Sequence, residues 1–177
     1  MDRNKGLIIV YTGDGKGKTT AALGMELRTV GWGGKVLVIQ FVKAWKTGEH
    51  KAIEKFLPDI TIIPAGEGFV GIMGDRKPKH IHTASAENAL LFAKKEIMSK
   101  KWPLVILDEI NGAIEEKLIE LKEVLSFLAS KPEEVTVVLT GRKAKPEIIE
   151  RADLVTEMKK IKHPYDSGIL AKKGVDF

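Results

Sequence analysis

Three observations predict a single α/β domain in which helices cover both faces of a mainly parallel sheet. Short apolar runs recur along the chain and hardly alternate with polar residues, as in strands that are buried on both faces. Helical patterns separate these runs, an order that is typical of parallel sheets. The length of 177 residues is also close to the common size of one domain. We therefore assign residues 1–177 to one domain.

The predicted strands are five apolar runs rich in β-branched residues. They are Leu7 to Tyr11, Val36 to Phe41, Ile60 to Ile63, Leu104 to Leu107 and Val135 to Leu139. All are much shorter than the roughly 18 apolar residues of a membrane-spanning helix. We therefore expect strands of a globular domain and no membrane partner.

Apolar residues at helical spacing predict helices between these strands. Their shared faces comprise Leu23, Leu27 and Val30 after the first strand, Leu90, Ala93 and Ile97 before the fourth, and Leu118, Leu121, Leu125 and Leu128 before the fifth. Gly31 and the pair Gly33-Gly34 are expected to end the first helix. Thr83 and Ser85 are the candidate amino-terminal caps of the helix before the fourth strand.

Composition narrows the possible chemistry. The chain has no cysteine, which excludes disulfides, thiolate metal sites and a cysteine nucleophile and favours a reducing, cytoplasmic location. Its 29 basic and 24 acidic residues leave a formal net charge of +5, which suggests an anionic ligand or partner. The charge is spread along the chain, and an aromatic content of 6% is low for a surface that stacks nucleic-acid bases.

Two segments do not fit the alternation of strands and helices. Residues 64–82 are rich in glycine and lack periodicity, and loops of this length inside compact domains are usually functional or disordered. They form a candidate ligand loop. Its sequence His80-Ile81-His82 favours a polar loop pair over a metal site, because no third ligand is spaced nearby. The basic tail, residues 159–177, is interpreted either as a solvated tail or as part of a site.

A glycine-rich loop lies directly between the first predicted strand and the first predicted helix. Its sequence is Thr12-Gly13-Asp14-Gly15-Lys16-Gly17-Lys18-Thr19-Thr20. The backbone N–H groups of such a loop and the positive end of the following helix bind phosphate oxygens. Lys18 would add a charge on a polyphosphate, and the Thr19 hydroxyl would bind a divalent cation. The match to the P-loop pattern is relaxed because Thr12 replaces its first glycine, and a merely glycine-rich turn is the alternative.

Two further elements are predicted to meet this loop, because ligands of open α/β sheets bind at the carboxyl ends of strands. The fourth run ends in Asp108-Glu109, where a carboxylate would lie beside the cation. Adjacent strand residues point to opposite faces, so the spacing leaves open which carboxylate contacts the metal. Arg142 follows the fifth run and is placed to reach phosphate oxygens, with a solvated arginine as the alternative. The combination predicts a P-loop NTPase-like fold.

Six segments of the sequence then form a recognisable set. They are TGDGKGKTTAALG at 12–24, VIQFVK at 38–43, VILDEI at 105–110, VVLTGR at 137–142, an AD-V-E-M pattern at 152–158 and KHPYDSGILAKKGVDF at 162–177. Together they resemble the ATP:corrinoid adenosyltransferases of the CobA/BtuR type. A phosphate loop alone would fit many activities, whereas the loop with TGR and this tail fits few. The resemblance covers nearly the whole chain.

The resemblance implies an alkyl transfer to cobalt. A corrinoid reduced to Co(I) would attack the ribose C5′ of ATP, form a carbon–cobalt bond and release triphosphate, in adenosylcobalamin biosynthesis or salvage. The protein would need no nucleophile, and its task would be to position C5′ and stabilise the leaving chain. Family members are understood to bind ATP in the reverse sense, with the γ-phosphate where other P-loop enzymes hold the α-phosphate. ATP is thus the expected co-substrate, with Mg²⁺ or Mn²⁺, and the corrinoid is the substrate.

The resemblance also assigns roles to residues of this sequence. The triphosphate would be held by Gly13, Asp14, Gly15, Lys16, Gly17, Lys18, Thr19 and Thr20. Lys18 and Arg142 would act on the leaving phosphates. Thr19 would hold the metal with Glu109, which matches the family's metal-side carboxylate, and Asp108 is the alternative. Arg28 matches an arginine that lies near the nucleotide in the family. From the sequence alone, the support for Arg28 as a site residue is weaker, because an arginine near the end of the first helix also complements the helix dipole.

Residues 64–82 correspond to the corrinoid-binding stretch of the family. Phe69 matches an aromatic that is thought to press on the lower face and displace the axial ligand, which would make Co(II) easier to reduce. Two departures stand out: Asp14 replaces a frequent asparagine, and Gly71 occupies the place of the second aromatic of a G-F-x-W pattern. Candidates to compensate for the missing aromatic are Phe41, Trp45 and Met73.

The expected partners follow from the same resemblance. They are a second copy of the chain in a homodimer and an electron-donating reductase or flavodoxin-like protein, without nucleic acid or membrane. Two other functions compete with this one. An ordinary P-loop ATPase or small-molecule kinase would release ADP, with or without phosphate, and an ATP-dependent nucleic-acid-binding module would use the charge of +5.

Overall fold

The computed structural model describes residues 5–71 and 74–176. Within these residues, six strands form one parallel sheet: β1 Ile8–Thr12, β2 Val36–Gln40, β3 Ile60–Pro64, β4 Leu104–Asp108, β5 Thr136–Thr140 and β6 Leu154–Glu157. The helices are α1 Lys18–Gly31, α2 Gly48–Phe56, α3 Lys79–Met98, α4 Ile110–Glu115, α5 Leu121–Ser130 and α6 Pro146–Arg151, and a 3₁₀ turn covers Pro164–Ser167. The five predicted strands are confirmed, with ends that shift by at most one residue.

The strand order is β3-β2-β4-β5-β1-β6. Strand β5 lies between β1 and β4, so the carboxyl ends of these three strands are neighbours. These are the ends that carry the phosphate loop, the Asp108-Glu109 pair and the Thr140-Gly141-Arg142 turn. The topology therefore brings all three sequence motifs to one edge of the sheet, as predicted.

Helices cover both faces of the sheet, and each face has its own hydrophobic cluster. Val105 and Leu107 of β4 belong to the cluster under α3, α4 and α5, whereas Leu104 and Ile106 belong to the cluster under α1 and α2. Successive strand residues point to opposite faces, so an unbroken apolar run fills both clusters. This arrangement confirms the α/β class of fold with a parallel sheet.

The predicted apolar face of α1, Leu23, Leu27 and Val30, is wrong for Leu27, whereas Val30 packs against the core. The helix ends at Gly31 as expected, but Leu27 is 59% exposed, and the buried residues are Lys18, Ala22 and Glu26. These three residues recur every fourth position and so share one face. The phosphate loop fixes the rotation of α1 because it turns Lys18 inward, and the helix then buries a small alanine and a glutamate in place of its leucines.

Helix α3 begins earlier than predicted. Its amino-terminal cap is Pro78, and it includes Thr83 and Ser85, so neither residue caps the helix. Ser85 instead donates a hydrogen bond to the carbonyl oxygen of Ala65 at 2.8 Å. The candidate ligand loop is consequently shorter than 64–82, because β3 extends to Pro64 and the helix starts at Lys79.

Strand β6 and the short helices were not predicted from periodicity. All four residues of β6 are exposed, and the strand pairs only along β1 in the described part of the chain. An edge strand of this length carries too little apolar pattern to be recognised from sequence. Within residues 5–71 and 74–176, none of the helices has both the length and the apolar character needed to cross a membrane.

Candidate functional site

The phosphate loop adopts the backbone geometry that its glycines suggest. Gly13 and Gly17 have φ angles of 95° and 108°, a region that other residues rarely adopt. Gly17 is the residue before α1, so the loop delivers the first free N–H groups of the helix to its concave side. Such a concave set of N–H groups at a helix terminus binds anions.

Lys18 is held inside this loop. Its ammonium donates hydrogen bonds to the carbonyl oxygens of Gly13 at 2.8 Å and Gly15 at 2.7 Å. Burial lowers the pKa of the Lys18 side chain, while the nearby carboxylate of Glu109 opposes that shift. The loop thus positions a cation beside the N–H groups that would receive phosphate oxygens.

The other side of the loop packs against the chain that follows β6. The N–H of Gly15 donates to the carbonyl oxygen of Met158 at 2.7 Å, and the N–H of Met158 donates to the carbonyl oxygen of Thr12 at 2.8 Å. A Cβ atom on Gly13 would lie 2.5 Å from the Met158 oxygen, and one on Gly15 would lie 2.7 Å from it. Both glycines are therefore required for the close approach of the AD-V-E-M segment to the phosphate loop.

Asp108 is the centre of a buried hydrogen-bond network below the loop. Its Oδ1 accepts from the Thr19 hydroxyl at 2.8 Å and from the Thr140 hydroxyl at 2.7 Å. Its Oδ2 accepts from Nε2 of Gln40 at 3.2 Å. The Asp108 side chain is 1% exposed, so three strand ends and the first turn of α1 meet at one carboxylate.

Glu109 faces the open side of the same region. Its φ angle of 62° is unusual for a residue other than glycine, and its N–H donates to the Thr140 hydroxyl at 2.9 Å. Burial and the neighbouring charge of Asp108 raise the pKa of the Glu109 carboxyl, while Lys18 and Arg142 act in the opposite direction. Asp108 and Glu109 thus occupy different environments, one under the loop and one on a cavity wall.

A cavity of about 480 Å³ brings most of the predicted residues together. Its lining includes Asp14, Gly15, Lys16, Lys18, Phe69, Glu109 and Arg142. The phosphate loop forms one side, and the segment around Phe69 contributes another. The volume lies within the range of about 300–1,000 Å³ that is usual for small-molecule sites. Lys16, on the cavity wall, also pairs with the carboxylate of Asp176 in the tail.

Thr20 and Arg28 lie apart from this cavity lining. Thr20 is an exposed residue of the first turn of α1. Arg28 is ten residues after Lys18 on the same helix, a separation of about 15 Å along the axis, and its side chain is exposed. Within one chain, the structure therefore does not bring Arg28 to the phosphate loop.

The segment that carries Phe69 is tied to the chain that follows β2. The N–H groups of Ala65, Gly66 and Gly68 donate to carbonyl oxygens of residues 40, 43 and 42 at 2.9, 3.2 and 2.9 Å. A Cβ atom on Gly66 would lie 2.2 Å from the Val42 carbonyl carbon, so only glycine permits this approach. These bonds extend the β2–β3 pairing beyond the sheet and fix the base of the Phe69 segment.

Asp75 fixes the other end of this loop. Its Oδ2 accepts from the N–H of Gly71 at 2.9 Å and lies 3.0 Å from Nε2 of His82, and its Oδ1 accepts from the N–H of Lys77 at 3.1 Å. The two backbone N–H groups lower the pKa of the Asp75 carboxyl. His82 is 3% exposed on α3, so the predicted loop-histidine pair is wrong: His82 is a buried helix residue that anchors the loop.

The structure separates the three candidates for a second aromatic or apolar contact. Phe41 is 2% exposed and belongs to the core under α3, so it does not face a ligand. Met73 lies outside the described residues. The Trp45 ring is centred 6.4 Å from the Phe69 ring at a tilt of 55°, and both rings are partly exposed. Trp45 is thus the candidate that contacts Phe69.

Sequence reasoning missed Glu26, which lies near the carboxylate network. Glu26 is 3% exposed, and its Oε1 atom lacks a hydrogen-bond partner within the described residues. Burial, with smaller contributions from Asp108 and Glu49, raises the pKa of Glu26 to about 8. Its spacing of four residues from Ala22 could have placed it on the buried face only if the rotation of α1 had been known.

The fold and the site define a protein of the P-loop NTPase-like fold class. A parallel sheet presents a glycine loop, an inward lysine and a threonine bonded to a strand-end aspartate at one edge. In overall fold, the chain is similar to a KaiC-like protein from Pyrococcus horikoshii, with a TM-score of 0.56, 16% identity and coverage of 90% of this chain and 75% of that one. This likeness concerns the fold alone.

The family model described as "ATP:corrinoid adenosyltransferase BtuR/CobO/CobP" matches residues 4–177, and the chain belongs to this family. Three relatives named corrinoid adenosyltransferase agree with that assignment. A protein of Sinorhizobium sp. is 48% identical over 98% of this chain and 81% of its own length. The relatives from Pseudomonas aeruginosa and Escherichia coli K12 are 41% and 36% identical, each over 98% of this chain and over 84% and 86% of their own lengths.

Proposed function

We propose that this chain transfers the 5′-deoxyadenosyl group of ATP to the Co(I) centre of a reduced corrinoid and releases triphosphate. The observation that carries the proposal is the single cavity that is lined by both the phosphate loop and Phe69. The wall formed by the phosphate loop has the chemistry to hold a triphosphate. The wall formed by Phe69 presents an aromatic ring that would contact the apolar face of a corrin ring. In the reaction, the electron pair of Co(I) forms the cobalt–carbon bond, the C5′–O bond breaks, and its electron pair leaves with the triphosphate.

The protein's contribution to this step would be electrostatic. Lys18 and Arg142 would stabilise the charge that develops on the leaving phosphates, with Lys16 and the N–H groups of the loop as further donors. Positioned groups of this kind lower a barrier because they need no reorganisation during the reaction. ATP bound in the reverse sense would turn C5′ away from the loop and toward the corrinoid, whereas a kinase must present its γ-phosphate.

Magnesium is proposed as the resident metal, with manganese as a substitute. The residues fit a hard divalent cation, because the Thr19 hydroxyl and the Asp108 carboxylate lie within 2.8 Å of each other and Glu109 adds a second carboxylate on the cavity wall. Oxygen donors of this type are those that Mg²⁺ prefers. When bound, the ion would neutralise part of the triphosphate charge. Thr19 and Glu109 would hold it, and Asp108 would orient Thr19.

Phe69 would contact the lower face of the corrinoid and keep the axial ligand away from cobalt. A Phe69→Ala variant should therefore lose more activity when the assay starts from Co(II) than when it starts from chemically reduced Co(I). The rate of adenosylation is measured from each starting state for the unaltered chain and for Phe69→Ala, and the same reductant is used in all assays that start from Co(II). Equal losses from the two states would contradict a role for Phe69 in ligand displacement.

The remaining partners are proposed from the chemistry of the site and from the family. Co(II) must gain an electron before it can attack carbon, so an electron-donating reductase or a flavodoxin-like protein would act with this chain in the cytoplasm. We also propose a homodimer. Arg28 lies about 15 Å along α1 from Lys18, and in a dimer it would approach the nucleotide that is bound to the other chain. The exposed Leu27 of α1 and the exposed Trp32 directly after this helix would favour such a contact.

The proposed activity is tested with ATP, Mg²⁺ and a chemically reduced corrinoid under anaerobic conditions. The visible spectrum should change from that of Co(I) to that of an alkylcobalt species, and light should then destroy the product. The competing ATPase and kinase functions predict ATP consumption without that spectral change. A nucleic-acid-binding module predicts consumption that depends on added DNA or RNA.

A further inference from the structure

Phe69 is a wall between two cavities. It lines the cavity of about 480 Å³ that contains the phosphate loop. It also lines an open cavity of about 650 Å³, which we call the outer cavity, together with Trp45, Glu67, Asp75, Arg76 and Pro78. The described lining of the outer cavity includes no phosphate-loop residue. The outer cavity therefore lies beyond the Phe69 ring as seen from the phosphate loop.

The outer cavity offers an aromatic surface. The rings of Trp45 and Phe69 are 43% and 37% exposed and pack at 6.4 Å with a tilt of 55°. Tilted aromatic pairs leave one ring face open to a further planar group, and stacking of a base on such a face is favourable for any base. Pro78 adds an apolar side to the same cavity.

The same cavity offers a cation for an anionic group. Lys77 is engaged by the Glu67 carboxylate, and the Asp75 carboxylate is occupied by two backbone N–H groups and His82. Within the described part of the chain, Arg76 forms no ion pair, and it is exposed on the cavity wall. An exposed guanidinium without an ion-pair partner is suited to bind phosphate, because its planar group can donate two parallel hydrogen bonds to two phosphate oxygens.

We propose that the outer cavity binds the nucleotide tail of a complete corrinoid, with the base stacked on Trp45 and the phosphodiester paired with Arg76. This inference rests on the proposed function, because that reaction places the corrin ring between ATP and Phe69. The face from which Co(I) attacks must point to C5′, and the nucleotide tail hangs from the opposite face. That opposite face points toward Phe69, and the outer cavity is the space beside it. Co(I) does not retain the base as a ligand, so the tail is free to bind there.

The test compares two chemically reduced substrates that differ in the tail. Cobalamin carries a benzimidazole ribonucleotide on a phosphodiester, and cobinamide lacks it. Trp45→Ala and Arg76→Gln should each raise the KM for cob(I)alamin about three- to tenfold, the size expected for one aromatic or charged contact. The KM values for cob(I)inamide and for ATP should stay within about twofold.

Three matched variants separate a tail contact from a general loss of structure. Trp45→Phe retains an aromatic face and should keep the KM for cob(I)alamin within about twofold. Phe56→Ala and Arg151→Gln remove an exposed aromatic residue and an arginine at the ends of α2 and α6, and neither should change any KM.

Two results would overturn the tail site. An equal rise in KM for both corrinoids would mean that Trp45 acts only on the corrin ring through Phe69. No change with either corrinoid would mean that the outer cavity binds neither part of the substrate. Failure of the unaltered chain to alkylate either corrinoid would refute the proposed function itself, so the two failures are distinguishable.

Discussion

At the residue scale, the site depends on buried polar groups that are held by short hydrogen bonds. Asp108 accepts two hydroxyl groups on one oxygen and a glutamine amide on the other. The sequence predicted that a carboxylate of the Asp108-Glu109 pair would lie opposite Thr19, because both motifs follow strands whose carboxyl ends share one edge, but it left open which one. It did not predict Gln40 or Thr140 as partners, since their contacts depend on the order of strands in the sheet.

Lys18 provides the first prediction at this scale. Lys18→Ala should lower kcat/KM with chemically reduced corrinoid by about 100-fold or more, because it removes a positioned charge from the leaving phosphates. Anaerobic spectrophotometry of the Co(I) species measures the rate. Lys101→Ala, an exposed lysine just before β4, serves as the control. A Lys18→Ala rate close to that of the unaltered chain would contradict the role of this lysine.

Glu26 gives a prediction about stability and pH. Its pKa of about 8 in the fold exceeds the value of about 4.5 expected for an unfolded glutamate, so the folded state binds more protons between these values. The free energy of unfolding should therefore fall as pH rises from about 5 to about 8. Glu26→Gln should remove most of this fall and be more stable than the unaltered chain at pH 9, by an amount on the order of a few kcal/mol.

Urea denaturation at several pH values measures this effect in the absence of ATP and divalent cations. Glu150→Gln changes an exposed glutamate of α6 and should leave the pH dependence unaltered. If Glu26→Gln followed the same pH curve as the unaltered chain, Glu26 would not be the buried acid responsible.

At the scale of elements, the strands were predictable and the rotation of α1 was not. Apolar runs identify buried strands from local sequence alone. The face that a helix buries depends on how its first residue is anchored, and in α1 the inward turn of Lys18 leaves Leu27 outside. The start of α3 was misplaced for a related reason, because Pro78 begins the helix without a side-chain cap.

Residues 65–71 and 74–78, between β3 and α3, contribute to both cavities, and Asp75 holds this described part of the loop in place. Asp75→Ala would remove the acceptor for two backbone N–H groups and for His82. We expect the KM for corrinoid to rise about tenfold, equally for cob(I)alamin and cob(I)inamide, because the loss of these bonds frees the Phe69 segment. The KM for ATP should not change. Steady-state kinetics with both corrinoids measure this effect.

Hydrogen exchange supplies an independent measurement of the same loop. The amides of Gly71 and Lys77 should exchange faster in Asp75→Ala, and Asp75→Asn should be intermediate because one acceptor oxygen remains. Glu54→Gln breaks only the exposed ion pair with Lys46 and should change neither exchange in the loop nor kinetics. Unchanged exchange at Gly71 in Asp75→Ala would contradict the anchoring role of Asp75.

At the scale of the whole molecule, cations from separate parts of the chain come together in the cavity beside the phosphate loop. Lys16, Lys18, Arg142 and Lys143 line one cavity together with the four acidic residues Asp14, Glu109, Glu115 and Glu116. The cavity thus gathers cations where a triphosphate would bind, without concentrating the net charge of +5. This gathering could be foreseen from the motifs and the rule that ligands bind at strand carboxyl ends. The outer cavity could not be foreseen, because Trp45 and Arg76 are 31 positions apart in the chain and line one cavity only because the segment after β3 folds against the chain after β2.

The absence of cysteine also fits the proposed reaction at this scale. Cobalt is the nucleophile, so the chain must orient two large substrates and receive a departing polyanion, and neither task requires a thiol. In the proposed reaction, one sheet edge and one loop of this domain would perform both tasks. The central claim is therefore that the phosphate loop holds a leaving triphosphate instead of a transferable γ-phosphate.

The stoichiometry of the phosphate product tests that claim most directly. ATP and excess chemically reduced cobinamide are incubated with the chain, and triphosphate, ADP and alkylcobalt are each quantified after quenching in the dark. We predict one triphosphate for each alkylcobalt formed, no ADP, and loss of both products in Lys18→Ala. Formation of ADP in proportion to ATP consumed, or of alkylcobalt without triphosphate, would contradict the claim.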